Sequence, residues 1–336
     1  MVGNGKERRA DLKKHLINNI TTLIALMILA LTVCAPANSG CASRQPQNQT
    51  ADKKGPVIVA SKIDTEGALL GNMIIEMLKD NGFEVIDKVE FGPTDLIRKA
   101  IISDEIDIYP EYTGNGGFFF DDTDPNTWKN ADKAFDAVKA LDKEQNDLVW
   151  LDPAPANNTW AIAVRKDLSA TEKIKTMEDF TAYVNRKGFV KLVCSEEFVS
   201  RPDALPAFEK EYGFKLAKDQ LVILAGGNTA QTEKAAAEGT DGVNFAMAYG
   251  TDGALAALEL MVLEDTKGVQ PVYEPAPLVR DEVMVKYPEI ADILKPVFES
   301  LNLVKLQALN GKIAMEGQDA AKVAKDYLDS EGFLKK

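Results

Sequence analysis

From Pro56 onward, short runs of β-branched and aromatic residues alternate with longer segments of helical periodicity, and this alternation constrains the fold more than any other feature. It predicts βαβ units, which build parallel sheets with helices on both faces. We expect the following strands and helices in a first cycle: strands over 57–61, 84–91, 107–112, 148–151 and 160–165, and helices over 65–80, 94–103 and 131–145. The cycle restarts with strands over 191–195, 221–225 and 243–249, a helix over 203–212 and another after Thr229.

Two such cycles predict an α/β protein of two lobes. The C-terminal part differs, because strand-forming residues near 260–263 precede an extended segment over 271–279 that contains three prolines. Such a segment makes a poor central strand but a good crossover between lobes. We expect helices over 281–301, 303–315 and 318–329 to cover the first lobe. Lobe 1 would then be discontinuous, over 56–163 and 272–336, and lobe 2 would span 164–271, with hinges near 162–166 and 268–276.

The first 40 residues have the order of a secretory signal peptide: a basic start, an apolar run over 23–33 and small residues around Ala35–Ala37. The run is shorter than the roughly 20 residues that span a bilayer. We therefore expect residues 1–40 to be removed and the protein to work in the periplasm or at the outer face of the cytoplasmic membrane. Cleavage after Ala37 is one option. The polar segment over 41–55 is typical of a flexible tether and favours the alternative, a lipid anchor on Cys41.

Charge and residue types exclude several classes of function. The chain carries 39 Lys+Arg against 52 Asp+Glu, a net charge of −13, so it has no basic footprint for nucleic acid. Its single histidine, His15, lies in the leader, which excludes His-based nucleophilic catalysis and His-ligated metal sites from the mature protein. Cys194 lies in an apolar run that is typical of a buried core cysteine. Motifs that bind phosphate or form a nucleophile elbow are absent from the sequence.

Aromatic residues stand where the predicted strands begin or end. Tyr112 closes one strand, Trp160 opens another, Tyr249 closes a third, and Tyr273 lies in the proline-rich crossover. Open α/β proteins bind ligands at the carboxyl ends of their strands and between lobes. The face of an aromatic ring attracts a quaternary ammonium group by about 0.5 to 2 kcal/mol. These positions therefore indicate a site for an organic cation, although each ring alone is also typical of core packing.

Five sequence stretches make a resemblance specific: VASKIDTEGALLGNMI (59–74), FGPTDLIRKAIISDEIDIYPEYTGN (91–115), NNTWAIAV (157–164), SEEFVSRPDAL (195–205) and YGTDG (249–253). They resemble the substrate-binding proteins of glycine betaine, choline and carnitine ABC importers, in particular the osmoprotectant subgroup. The resemblance runs from Pro56 to the C-terminus. It implies a bilobal fold of the type II periplasmic-binding-protein class, a quaternary amine as ligand, and an ABC permease with its ATPase as partners. It implies no cofactor and no catalysis.

Carried over by motif, the resemblance implies an aromatic cage for the ammonium group, made of Tyr112, Trp160, Tyr249 and Tyr273. Tyrosine is common in the family where this chain has Trp160. The same family binds the ligand carboxylate with polar and basic groups, and the matching positions here are Lys62, Arg201, Thr113 and Gly114. For Lys62 and Arg201 the alternatives are surface charge or an ion pair between lobes.

Two further polar residues are candidates at the same site. Asn158 stands where some relatives carry an acidic residue beside the cage, and an amide attracts a cation less strongly than a carboxylate. Thr229 follows a glycine-rich turn at a predicted helix start, where N–H groups bind an anion or are capped by a side chain. Two other functions remain open: an enzyme on the same scaffold that uses Cys194 or a carboxylate pair on a small amine, and a sensory or adhesion protein.

Overall fold

The computed structural model describes residues 54–121, 123–226 and 228–335, which form two five-stranded sheets flanked by helices. The predicted signal peptide, Cys41 and all but the last two residues of the predicted tether lie outside the described residues. The described chain contains these strands in order: β1 (Lys54–Lys62), β2 (Phe83–Gly92), β3 (Ile108–Tyr112), β4 (Leu148–Trp150), β5 (Trp160–Arg165), β6 (Leu192–Ser195), β7 (Leu221–Leu224), β8 (Phe245–Tyr249), β9 (Leu260–Val262) and β10 (Pro275–Arg280).

Thirteen α-helices lie between and after these strands in the described part of the chain. In order they are α1 (Thr65–Asp80), α2 (Thr94–Ile102), α3 (Gly116–Phe119), α4 (Ala131–Asn146), α5 (Lys166–Glu172), α6 (Met177–Asn185), α7 (Glu196–Ser200), α8 (Leu205–Tyr212), α9 (Thr229–Glu238), α10 (Asp281–Lys286), α11 (Glu289–Ser300), α12 (Leu303–Ala314) and α13 (Ala320–Glu331). The predicted strand over 160–165 and the helix over 65–80 have the same bounds in the structure.

Helix α1 shows why the local signals were strong. The Asp64 carboxylate caps its first turn by accepting a hydrogen bond of 2.7 Å from the Gly67 N–H. Beyond its C-terminal end, Gly82 adopts a left-handed backbone (φ +83°), which a residue with a Cβ rarely adopts. Between these ends, one face packs into the core of the first sheet through side chains such as Leu70 and Met73. Capping, termination and amphipathicity therefore all favour the same helix.

The strand order is β2-β1-β3-β10-β4 in the first sheet and β7-β6-β8-β5-β9 in the second. Both sheets are mixed rather than parallel as predicted, because β10 runs antiparallel to β3 and β4, and β5 runs antiparallel to β8 and β9. Each of these strands follows a connection from the other sheet. A strand that enters from the facing sheet starts at the edge where its neighbours end, so it must run against them.

The expectation that the segment over 271–279 is only a crossover was wrong for its second half, which forms β10 inside the first sheet. Pro275 pairs with Tyr112 of β3, and Pro277 pairs with Pro110. Both are non-hydrogen-bonded positions of the antiparallel pair, where no N–H donor is needed. On the other side, β4 pairs only with residues 278–280, and the Pro277 carbonyl accepts from the Leu151 N–H. The missing proline N–H groups thus cost the sheet little.

The chain ends in helices that pack on the first sheet. Residues of α11, α12 and α13 share a core with α1 and β1. The predicted helix over 281–301 is divided, because α10 ends before Tyr287 and Pro288 and α11 starts after them. The chain crosses between the two sheets twice, first over 151–159 and again over 263–274, the second crossover. The expected lobe boundary at 163/164 falls inside β5, which belongs wholly to the second sheet, and the expected hinge at 162–166 covers the end of β5 and the first residue of α5.

Candidate ligand-binding site

The candidate site lies where the ends of strands from both sheets meet. Tyr112 is the last residue of β3, and Lys62 is the last residue of β1. In the second sheet, Trp160 begins β5 and Tyr249 ends β8, and the two residues are direct register partners. Because β5 enters antiparallel, its first residue lies beside the last residue of its neighbour. This topology brings together side chains that are up to about two hundred positions apart in the sequence.

All four aromatic residues predicted for the cage line one cavity, together with Lys62, Arg201 and Asn158. Including its opening to solvent, the cavity holds about 480 Å³ of space free of protein atoms. Its remaining lining residues are Ile63, Asp64, Pro93, Thr94, Asn115 and Glu197. Residues from both sheets contribute to its wall.

The ring of Trp160 contacts the rings of Tyr249 and Tyr273. The Trp160 and Tyr249 ring centroids are 6.2 Å apart with planes 20° apart, and the Trp160 and Tyr273 centroids are 5.9 Å apart with planes inclined at 60°. Phe198 packs edge-on against Trp160 from the core side. These separations leave no room for an ammonium group between Trp160 and either of the two tyrosine rings. A cation would therefore lie against the cluster, on the ring faces that border the cavity.

Lys62 is buried in an ion pair within its own sheet. Its ammonium lies 2.7 Å from the Glu111 carboxylate and 4.8 Å from the centroid of the Tyr112 ring. Burial alone would raise the pKa of Glu111, but the Lys62 charge, with donors from Lys62, the Tyr112 backbone and Asn115, lowers it below its usual value. Glu111 is therefore ionised at neutral pH. An ammonium has three N–H donors and Glu111 takes one, so Lys62 keeps others for the cavity.

Arg201 joins the two sheets across the cavity. Within its own part of the chain it is paired with Asp203 (2.5 Å) and Glu197 (3.1 Å), and it donates a hydrogen bond of 2.8 Å to the Asn115 side-chain oxygen beside the first sheet. Its guanidinium lies 4.6 Å from the Trp160 ring centroid and 4.2 Å from the Phe118 ring centroid. Although burial favours the neutral form, the pKa of this guanidinium is raised above its usual value by its neighbours, so Arg201 stays charged.

Beneath the cage, the buried Glu66 carboxyl connects four parts of the chain. It accepts hydrogen bonds from the Tyr112 hydroxyl (3.0 Å), the Asn158 amide (3.0 Å) and the Asn310 amide (2.8 Å). Asn158 in turn accepts a bond of 2.7 Å from Thr251, which follows β8. Burial raises the pKa of Glu66 to about 7, even though its hydrogen-bond donors favour the ionised form. The carboxyl therefore titrates in the physiological range.

Three of the residues predicted for the site do not line the cavity. Thr113 is buried beside the second crossover, where its hydroxyl donates to the Val272 carbonyl and accepts from the Glu274 N–H. Gly114 lies under the Tyr273 ring, and a Cβ there would come within 2.8 Å of that ring. Thr229 is the first residue of α9 and donates a bond of 2.9 Å to Asp252. All three therefore lie outside the cavity lining, in contact with the segments that carry Tyr273 and Tyr249.

The predicted helix cap after the glycine-rich turn is made by Asn228, whose side chain accepts from the Ala230 N–H. Cys194 is fully buried, and burial raises the pKa of its thiol to about 12, so it is not a thiolate at neutral pH.

Among residues 54–121, 123–226 and 228–335, no group of acidic, His and Cys side chains is arranged to hold a metal ion. Within the same residues, no helix has the length and apolar character needed to cross a bilayer.

The residues missed from sequence include Asp64, Glu66 and Asn310. Two of them had a usable signal, since Glu66 is in phase with the buried Leu70 and Met73 of α1, and Asn310 is in phase with Leu306 of α12. A polar residue on the apolar face of a helix must find partners in the core, and partners of this kind often lie at a site. Asp64 gave no such signal, because its cap role explains it fully.

Comparisons with known proteins identify the family of this chain. A family model described as the substrate binding domain of an ABC-type glycine betaine transport system matches residues 55–330. The glycine betaine-binding protein YehZ of Escherichia coli (strain K12) is 57% identical over 280 residues, which are 83% of this chain and 92% of that protein. The solved structure of apo YehZ from Escherichia coli is similar with a TM-score of 0.61, covering 83% of this chain and 99% of that one.

A crystal structure of a glycine betaine/carnitine/choline ABC transporter protein is similar with a TM-score of 0.64 at 21% identity, and it covers 83% of this chain and all of that chain. At this identity the similarity speaks for the fold alone. Together with the two mixed sheets and their flanking helices, it confirms the predicted bilobal α/β fold of the type II periplasmic-binding-protein class.

Proposed function

The chain belongs to the family of substrate-binding domains of ABC-type glycine betaine transport systems, and we propose that its aromatic cavity captures a quaternary ammonium solute such as glycine betaine or choline. Members of this family are transporter components on the extracytoplasmic side of the membrane, so this chain is not an enzyme and works with a permease and its ATPase. The enzymatic alternative on Cys194 has no support. We further propose that Cys41, which lies outside the described residues, carries a lipid anchor.

The observation that carries the proposal is the shared cavity of Tyr112, Trp160, Tyr249 and Tyr273. A quaternary ammonium group has no N–H to donate, so ring faces attract it without leaving an unpaired donor. A micromolar affinity requires about 8 kcal/mol. Ring contacts of about 0.5 to 2 kcal/mol each reach this value only when the rings are already in place. Their mutual packing and the hydroxyl bonds of Tyr112 and Tyr273 provide that preorganisation.

The carboxylate of a betaine would bind at the donors that Lys62 and Arg201 have left. Both side chains line the cavity, and each is already paired with a carboxylate of the protein. A guanidinium has five N–H donors, of which Asp203, Glu197 and Asn115 take four, so one remains. Arg201 also spans the gap between the sheets. Ligand contacts in both sheets would therefore favour the closed arrangement over an open one, with 151–159 and 263–274 as the connecting segments.

A thermal-shift screen against methylated amines tests the proposal. Glycine betaine, choline and carnitine are compared with glycine and ammonium chloride, which have the same charges without the methyl groups. A ligand at one hundred times its Kd stabilises the folded protein by about 2.7 kcal/mol. We expect at least one quaternary amine to raise the melting temperature and both unmethylated compounds to leave it unchanged. Equal shifts with glycine, or no shift with any quaternary amine, would refute the assignment.

The same screen with Trp160→Ala separates the cage from other sites. We expect this variant to lose the shift while keeping its ligand-free melting transition cooperative. Tyr287→Phe is the control, because Tyr287 is an aromatic residue between α10 and α11 that accepts a hydrogen bond from the Gly55 N–H and does not line the cavity. For the anchor, labelled palmitate should be incorporated into the full chain and not into Cys41→Ser, and equal labelling of both would refute it.

A further inference from the structure

A pair of acidic side chains, the buried Glu233 and the half-buried Asp252, lies outside the cavity lining. Glu233 of α9 is only 1% exposed, and its Oε1 atom has no hydrogen-bond donor among the described residues. The carboxyl that neighbours it is that of Asp252, in the turn after β8. Two carboxyl groups form a hydrogen bond only when one of them carries a proton. A hydrogen bond between Glu233 and Asp252 therefore requires that one of the two stays protonated.

Asp252 connects this pair to a ring of the cage. It accepts a hydrogen bond of 2.6 Å from the Tyr249 N–H, and its own N–H donates to the Tyr249 carbonyl at 3.2 Å. The Thr229 hydroxyl donates to the same carboxylate at 2.9 Å. Thr229 and Glu233 are four positions apart and lie on one face of α9. The helix therefore holds the 249–252 turn through two contacts with Asp252, and that turn carries the Tyr249 ring.

No cation neutralises the pair in the part of the chain that the structure describes. The charged group that acts on Asp252 from the first sheet's side is Asp64, which is acidic as well. On the elements packed against α9, the charged residues are Arg165 at the end of β5 and Asp241 in the following turn. Arg165 is paired with Asp167 and lies beside Gly239, at the far end of the helix, while Asp241 is exposed. The helix's own Lys234 faces solvent near Glu238.

We propose that Glu233 is a positioning residue for ligand binding: it stays protonated at neutral pH, donates its proton to Asp252, and so fixes the turn that places Tyr249 at the cavity. The inference rests on the proposed role of Tyr249 in the cage. Burial, followed by the charge of Asp252, raises the pKa of Glu233 far above that of an exposed carboxyl. Loss of the proton at high pH would set two adjacent carboxylates against each other and loosen the turn.

Infrared spectroscopy of the ligand-free protein at pH 9 tests the proton directly. At this pH Glu66 is ionised, and any acid band from Asp64, whose pKa is also raised by burial, is common to wild type and variant, so the band that is lost in Glu233→Gln belongs to the pair. We expect the band in the wild type and its loss in Glu233→Gln. No acid band in the wild type, or an unchanged band in the variant, would overturn the proposal. Because no ligand is present, this result does not depend on whether the cage binds a quaternary amine.

Binding of glycine betaine at pH 7.5 and 10.5 tests the positioning. For the wild type we expect Kd to rise about threefold or more at the higher pH, since the proton is then being lost. Glu233→Gln keeps a donor that does not titrate, so its Kd should match the wild type at pH 7.5 and stay within about twofold at pH 10.5. Glu233→Ala should bind about fivefold or more weakly at both values. Equal pH profiles for wild type and Glu233→Gln would overturn the proposal, as would a large loss of affinity in Glu233→Gln at pH 7.5.

Discussion

The three tyrosines of the cage differ in what their hydroxyl groups do, and this difference makes Tyr249 the sharpest test of the ring-face mechanism. The Tyr112 hydroxyl donates to Glu66, and the Tyr273 hydroxyl donates to Asp203 at 3.3 Å. The Tyr249 hydroxyl makes no hydrogen bond within the described residues, while its ring lies on Trp160 and borders the cavity. If the ring face alone attracts the ligand, the hydroxyl is dispensable at this one position.

We therefore expect Tyr249→Ala and Tyr249→Phe to differ strongly. Removing the ring loses about 0.5 to 2 kcal/mol of cation–π attraction, which corresponds to a Kd that is about 2- to 30-fold higher. The contact with Trp160, worth about 0.5 to 1.5 kcal/mol, is present without ligand, so its loss lowers the stability of the variant. Tyr249→Phe keeps the face and should stay within about twofold of the wild type.

Isothermal titration with glycine betaine and with choline measures both variants. Tyr287→Ala, an aromatic truncation distant from the cavity, controls for general destabilisation, and the ligand-free melting temperature of each variant is recorded. In Tyr112→Phe the buried Glu66 carboxyl loses a donor, so this substitution should cost about 1 to 3 kcal/mol of stability, unlike Tyr249→Phe. Equal losses of affinity in Tyr249→Ala and Tyr249→Phe would refute the ring-face mechanism and indicate a hydrogen-bond role.

Two further predictions concern buried charges. Lys62→Ala leaves Glu111 as an unpaired buried carboxylate and should destabilise the fold by about 3 to 5 kcal/mol, so the double variant Lys62→Met/Glu111→Gln is used for the titrations. We expect this double variant to bind glycine betaine more weakly and choline almost as well as the wild type does. An identical effect on both ligands would remove Lys62 from the carboxylate site. The pKa of Glu66 is raised from 4.5 to about 7, so its contribution to stability is complete below about pH 4.5 and is lost as pH rises through 7. Urea unfolding between pH 5 and 9 should show this loss in the wild type and a flatter profile in Glu66→Gln, and parallel profiles would contradict it.

The sequence was sufficient for those elements whose signals were local. Helix α1 could be predicted to the residue because a cap, an apolar face and a terminating glycine all agree. The strand that begins at Trp160 was equally clear from its apolar run after a polar corner. The convergence of four rings was also predictable, since strand ends meet at one edge in α/β folds and the family resemblance named the same positions.

What could not be predicted depends on partners distant in sequence. Strand β10 forms only because β3 and β4 lie on its two sides and because its own prolines stand at positions where the sheet needs no N–H donor. The pairing of Lys62 with Glu111 requires the ends of β1 and β3 to lie side by side, and a sequence pattern gives the strands but not this contact. Arg201 was predicted at the site, whereas its bond to Asn115 on the other sheet is a property of the folded arrangement.

The balance of charge around the cavity indicates which end of a betaine ligand is bound more strongly. The cavity lining and its direct ion-pair partners comprise two cations and four carboxyl groups: Lys62, Arg201, Asp64, Glu111, Glu197 and Asp203. With all of them ionised the sum is −2, and it is −1 when Asp64, whose pKa is raised by burial, holds a proton. A ligand ammonium reduces this excess, whereas a ligand carboxylate adds to it and has only the remaining donors of Lys62 and Arg201 to bind. The cationic end must therefore supply most of the attraction, so loss of a ring face should weaken every quaternary amine, while loss of Lys62 should weaken only those that carry a carboxylate.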